Sequence, residues 1–138
     1  MSEKNFDILI NMSLAAREAS YSPYSGFKVG AALLAESGKI YTGCNIENSS
    51  YGATNCAERT AFFKAVSDGE RGFNAIAVAA DSSDGQPFCP PCGMCLQVMN
   101  EFCGSDFKII LVKDKETYSV KSLSEFLPYG FSIIDSVK

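Results

Sequence analysis

Cys92-Gly93-Met94-Cys95 follows Pro90-Pro91 in a chain of 138 residues that holds six cysteines and no histidine. A C-x-x-C at the start of a helix sets its two sulfurs one turn apart on one face, so both reach a single metal ion. A third thiolate is offered by Asn55-Cys56-Ala57-Glu58, which reads as the start of another helix. With no histidine there can be no Ser-His-Asp or Cys-His nucleophile. Any transition-metal site must rest largely on thiolates, which favours zinc. The fold must therefore bring two helix N-termini together, although 36 residues separate Cys56 from Cys92.

Composition bounds the rest. At 46% hydrophobic and 20% charged residues, the chain reads as one soluble globular domain over residues 1–138, long enough to fold without disulfide staples. A net charge of -4, with lysine and arginine scattered, argues against a nucleic-acid partner and leaves a small neutral or modestly charged ligand. Apolar runs such as Ala75 to Ala80 and Ile109 to Val112 are too short to span a bilayer, so no membrane role is expected. The opening Met1-Ser2-Glu3-Lys4-Asn5 carries no secretory pattern, and six cysteines without one point to metal or redox chemistry in a reducing cytoplasmic setting.

Apolar spacing predicts a helix over residues 4–19, then a structured loop from Ser20 to Gly26. Phe27 to Ala35 and Lys39 to Ile46 read as an antiparallel pair joined at Glu36-Ser37-Gly38. Asn55 resembles an N-cap with Glu58 at N3, opening a helix that ends near Gly69. Phe73 to Ala80 reads as a buried strand, followed by a loop from Asp81 to Pro91 and a helix from about Cys92 to Cys103. Lys108 to Val112 is a further strand, and Ser122 to Phe126 a last helical turn. Alternating strands and helices predict an α/β class, with helices layered on a sheet.

Three protein thiolates leave one position of a tetrahedral zinc open, as catalytic sites do, whereas structural sites close with four. By itself C-x-x-C fits a redox pair or a closed zinc knuckle equally well, and Cys56 with Glu58 tips the reading toward an open catalytic site. Cys89-Pro90-Pro91-Cys92 is a second C-x-x-C, so Cys89 could close the site as a fourth ligand, as could Cys44. Cys44 and Cys103 otherwise read as small buried hydrophobes. Three thiolates and one zinc carry net charge -1, and Arg59 is placed to offset it by donating toward sulfur. Glu58 lies about 200° round an ideal helix from Cys56. Sharing a site therefore requires Cys56 at the helix tip. Taken singly, Glu58 is a cap residue, Asn45 and Glu47 are polar residues at a strand edge, and Phe27 belongs to the core.

The ordered pattern C-A-E followed by P-C-x-x-C, a known signature of zinc deaminases, resembles the zinc-dependent cytidine deaminase superfamily. The similarity also runs through Ser22-Pro23-Tyr24-Ser25, Phe27-Lys28-Val29-Gly30-Ala31-Ala32, Gly43-Cys44-Asn45-Ile46-Glu47-Asn48 and Pro91-Cys92-Gly93-Met94-Cys95-Leu96-Gln97-Val98. These look like the small, cysteine-ligated cytidine deaminases over almost the whole chain. Many relatives carry arginine directly after the last cysteine, where this chain has Leu96, so charge compensation falls more heavily on Arg59 and the helix termini.

The resemblance implies a three-layer α/β/α cytidine-deaminase-like fold with a mixed central sheet. It implies hydrolytic deamination of cytidine and 2'-deoxycytidine to the uridine nucleosides with release of ammonia. Cys56, Cys92 and Cys95 would be the zinc ligands, Cys89 would not, and Glu58 would be the proton shuttle. Phe27 would stack in the nucleoside pocket, Asn45 and Glu47 would bind ribose hydroxyls, and backbone near Ala57 would read the base edge. A homotetramer is implied, with a tail aromatic reaching a neighbouring subunit's pocket: Phe131 is favoured, and Phe126 and Tyr129 lie close enough to compete for the role. Two alternatives stay open: a deaminase of another aminopyrimidine nucleoside, and a non-catalytic zinc-binding module.

Overall fold

The computed structural model describes residues 3–81 and 88–134. Its centre is built from segments too apolar to face water on either side. In β1 (Val29–Ala35), alternate residues Ala31, Leu33 and Ala35 enter one buried cluster, while Ala32 and Leu34 enter the other. The same alternation divides Ile76 and Val78 from Ala75, Ala77 and Ala79 in β3 (Phe73–Ala80), and Ile109 and Leu111 from Ile110 and Val112 in β4 (Lys108–Val112). With β2 (Ile40–Cys44) and β5 (Tyr118–Ser122) these strands form one sheet in the order β2-β1-β3-β4-β5. Only β3 and β4 run parallel, so the sheet is mixed, as expected.

Helix α1 (Glu3–Arg17) covers one face through Leu9 and Ile10, against the small side chains Ala75, Ala77 and Ala79. Helices α2 (Ala57–Ser67) and α3 (Gly93–Phe102) cover the other, where Ala61, Phe62, Leu96 and Met99 are buried. The three-layer α/β/α arrangement follows. Gly30 and Gly43 let the helices approach the sheet closely. A Cβ on Gly43 would stand 2.5 Å from the Ala57 carbonyl oxygen and 2.6 Å from the Ala61 nitrogen, and one on Gly30 would collide with backbone of Ser13 and Arg17.

Several expected boundaries move for identifiable reasons. Helix α1 stops at Arg17 because Glu18, Ala19 and Ser20 close tighter i to i-3 bonds. Phe27 and Lys28 stay outside β1: the Phe27 carbonyl accepts the Asn45 side chain at 2.8 Å, and the Lys28 N–H donates to the Asp81 carboxylate at 3.0 Å. Strand β2 ends at Cys44, after which the Asn45 carbonyl turns to Tyr21. The N-cap of α2 is Cys56, with φ -75° and ψ 155°, rather than Asn55. Asn55 is drawn into an antiparallel bridge with Ile46, and Glu58 stands at N2 rather than N3. Helix α3 opens at N-cap Cys92 and C-caps at Cys103. The last turn is α4 (Leu123–Phe126), capped by Ser122 and Glu125 in a reciprocal box. Strand β5 and a 3-10 turn over Tyr51–Ala53 were not expected. The loop expected over 81–91 falls partly on 82–87, outside the described residues.

Candidate active site

Helices α2 and α3 meet at their N-termini. Cys56 and Cys92 are the two N-caps, and Cys95 sits in the first turn of α3. The three Sγ atoms lie within 4.8 Å of one another, with Cys56 to Cys92 at 3.7 Å and Cys92 to Cys95 at 3.5 Å. A tetrahedral ion with Zn–S bonds of about 2.3 Å spaces its sulfurs by about 3.8 Å, close to the two separations just given, so the triad suits zinc. Cys89 stands outside this group, its thiol turned to the Pro90 carbonyl, and Cys44 turns to the Ala19 carbonyl. Neither belongs to the sulfur cluster. Cys103 is buried as expected, but Cys44 is only half-buried, because its strand position lies at the sheet edge.

The electrostatics favour thiolate at Cys56. The hydrogen bond it accepts from the Cys95 thiol, followed by that from the Arg59 guanidinium, holds it down at about 5 against the opposing effect of burial. Arg59 Nη2 stands 3.3 Å from the Cys56 sulfur. Arg59 Nε is buried without a hydrogen-bond partner among the described residues, a costly placement that attraction to the thiolates must outweigh. Two helix N-termini add their partial positive charge. The Cys95 thiol is pushed up, first by its hydrogen bond to Cys56 and then by burial. Leu96 is part of the core and brings no charge.

Glu58 is 5% exposed. Burial, reinforced by the negative charge of Cys56, pushes its carboxyl up to about 7, where it can both take and give a proton near neutrality. A cavity of about 220 Å³ opens beside it. Its lining includes Phe27, Asn45, Ala57, Glu58, Cys56 and Cys92, together with Thr54, Asn55 and the apolar Val29 and Val78. Cys89 and Pro90 line it too. Thr54, Val29 and Val78 were not singled out in the sequence, since no local spacing marks them as neighbours.

Asn45 is committed largely to the protein. Its Oδ1 accepts from Val29 N–H at 2.9 Å and Ser20 Oγ at 2.5 Å, and its Nδ2 donates to the Phe27 carbonyl at 2.8 Å. Glu47 lines an adjacent cavity of about 320 Å³ with Tyr24, Ser25, Asn48, Tyr51 and Thr54, so Thr54 borders both spaces. The Glu47 carboxylate accepts from Tyr24 N–H at 3.0 Å, Ser25 N–H at 3.1 Å and the Ser25 hydroxyl. Those bonds, Ser25 foremost, hold its pKa below the usual carboxylate value. Phe131 lies away from its own chain's cavity. Gln97 and Asn100 donate to its carbonyl at 3.2 and 2.9 Å, while the residue is 69% exposed.

Residues 6–111 match the profile of the cytidine and deoxycytidylate deaminase zinc-binding region. A cytidine deaminase from Sporosarcina psychrophila is 55% identical over 124 residues, covering 90% of this chain and 89% of that protein. One from Halalkalibacterium halodurans is 51% identical over 128 residues, covering 93% and 95%. The crystal structure of cytidine deaminase from Burkholderia pseudomallei superposes with a TM-score of 0.84 at 44% identity, covering 95% of this chain and all of that one.

Proposed function

Because this chain belongs to the cytidine and deoxycytidylate deaminase family, we propose that it hydrolyses cytidine and 2'-deoxycytidine to the uridine nucleosides with release of ammonia. The observation that carries the reading is the convergence of a buried carboxyl at Glu58 with the Cys56 and Cys92 sulfurs on one nucleoside-sized cavity. Zinc held by Cys56, Cys92 and Cys95 supplies the Lewis acidity that makes water nucleophilic near neutral pH.

Glu58 takes the proton from the attacking water and delivers it to N3 of the base, then takes the second proton from the hydroxyl added at C4 and passes it to the departing amine as the C4 carbonyl forms. Its raised pKa suits both directions of transfer. Phe27 and the Ala57 backbone hold the base, and Asn45 keeps that wall in place through Phe27 and Val29 while presenting its amide to the sugar. A carboxylate offers about four lone-pair sites. Three donors already reach Glu47, so one site remains for a ribose hydroxyl. Arg59 balances the thiolate charge, and the apolar walls at Val29 and Val78 limit water around the reacting edge.

The whole chain acts as one domain. No helix among the described residues is long and apolar enough to cross a membrane, and six free thiols suit a cytoplasmic protein. The working form is a homotetramer in which Phe131 of one subunit completes the next subunit's pocket. The exposed Tyr129, Phe131 and Ile133 support this, since such a patch calls for a cover. Metal analysis with an ultraviolet assay of cytidine loss tests the function: one zinc per chain, turnover of both nucleosides and neglect of free cytosine are expected. Zinc without cytidine turnover would overturn it. Light scattering that found an active monomer would overturn the shared pocket.

A further inference from the structure

Asn55 is held at both backbone and side chain. Its N–H donates to the Ile46 carbonyl and its carbonyl accepts the Ile46 N–H, each at 2.9 Å. Ile46 stands between Asn45 and Glu47 and is bridged in turn to Tyr21, so the loops around the nucleoside meet at this point. The Asn55 side chain then crosses into α2, where Nδ2 donates to Thr60 Oγ1 at 3.1 Å. Thr60 Oγ1 donates onward to the Cys56 carbonyl at 3.2 Å, which also accepts the Thr60 N–H at 3.0 Å.

A threonine hydroxyl bonded to the carbonyl four residues back is common on its own. Two features set this one apart. The carbonyl belongs to an N-cap whose side chain lies in the thiolate cluster, and the hydroxyl is itself held by a donor from outside the helix. We propose that Thr60 is a positioning residue for the metal centre: its hydroxyl fixes the Cys56 backbone, and with it the direction of the sulfur toward Cys92, and ties that setting through Asn55 to the nucleoside-binding wall. The inference rests on Cys56 being a zinc ligand. Thr60 touches neither metal nor substrate and acts through Cys56.

Thr60→Val keeps the branched shape and removes the hydroxyl, Thr60→Ser keeps the hydroxyl, and Thr60→Ala guards against strain from the added methyl. Zinc loss to a chromophoric chelator, the sulfur-to-metal charge-transfer band of the cobalt(II)-substituted protein, and kcat and KM for cytidine are measured on the intact chain. Removing a partner of a metal ligand typically costs about 10 to 100-fold in metal affinity or activity. Both hydroxyl-free variants are expected to release zinc faster within that range, shift the cobalt band and lose kcat with little change in KM, while Thr60→Ser stays near the parent. Parent-like release and cobalt spectra in Thr60→Val and Thr60→Ala would overturn the proposal, as would a Thr60→Ser variant that fails like them. A parent protein that takes up neither zinc nor cobalt would overturn the ligand assignment and this inference together.

Discussion

Cys56 and Cys92, 36 residues apart in sequence and 3.7 Å apart at sulfur, are each the N-cap of a helix, and neither side chain makes a cap hydrogen bond. The N-cap favours an oxygen that can accept a first-turn N–H. Cysteine there gives up that stabilisation so that the thiolate can face a partner across the gap.

Cys92→Ser should therefore separate stability from metal binding. In the metal-free protein the new cap is expected to raise stability by about 0.5–1 kcal/mol, while zinc affinity collapses. Denaturant unfolding in the presence of chelator, alongside zinc titration, measures both.

Glu58→Gln keeps the volume of the side chain and should retain zinc and fold. General acid-base catalysis contributes about 100 to 10,000-fold. Two successive transfers place the expected loss of turnover in the upper part of that range. A variant within tenfold of the parent in the cytidine assay would refute the shuttle.

Cys89 borders the cavity but lies outside the sulfur cluster, so Cys89→Ser should leave zinc content at one per chain and activity within a few-fold of the parent. Its thiol is pushed up by burial and by the charge of Glu58, which keeps it protonated beside the reacting groups. Loss of zinc from this variant would mean a fourth ligand and a closed site.

A pH effect is expected far from the cavity. The Tyr41 hydroxyl donates to Asp68 at 2.5 Å and to Glu70 at 3.0 Å, tying β2 to the end of α2. The Tyr41 bond, followed by Lys39, lowers the Asp68 pKa, and Asp68 foremost raises that of Tyr41 above 10. Asp68 thus contributes stability that is present above its unfolded pKa and lost as pH falls through the lower folded value. Tyr41 contributes stability that is present below its unfolded pKa and lost as pH rises through the raised folded value. Tyr41→Phe should flatten both limbs of a stability profile taken from pH 3 to 11. A profile parallel to the parent's would discount the network.

Gly43→Ala tests the close seat of α2. The new methyl meets the backbone of Ala57 and Ala61 and must push the first turn outward. Overpacking costs about 1–3 kcal/mol. Activity should fall further than stability does, because Cys56 and Glu58 ride on that turn, and thermal melts compared with kcat would show it.

What could be read from the sequence depended on how local the signal was. Phe73 to Ala80 and Lys108 to Val112 form strands with the expected bounds because each is dominated by a continuous apolar run, Ala75 to Ala80 and Ile109 to Val112. The cysteine triad was legible because C-x-x-C and C-A-E are short-range patterns at helix starts. Tyr118–Ser122 was missed because it is an edge strand with little buried, and its pairing with β4 supplies what its own pattern lacks. Asn55 has the chemistry of an N-cap, but a long-range bridge to Ile46 claims its backbone and passes the cap to Cys56. The anchoring of Glu47 by Tyr24 and Ser25 joins segments more than 20 residues apart, which no local reading could supply.

The hydrogen bonds that hold Phe131 fall on its backbone carbonyl. Gln97 and Asn100 hold its carbonyl, and Gly130 lies so close that a Cβ there would stand 3.0 Å from the Asn100 side chain and 2.8 Å from Leu127 Cδ2. The backbone is thus held at this point, while the residue stays 69% exposed. Much of the ordering entropy that a mobile tail would lose on contact has been lost during folding. A surface that closes over the ring gains most of its apolar contact as net binding, and the same ring on a loose tail would bind more weakly with no contact removed.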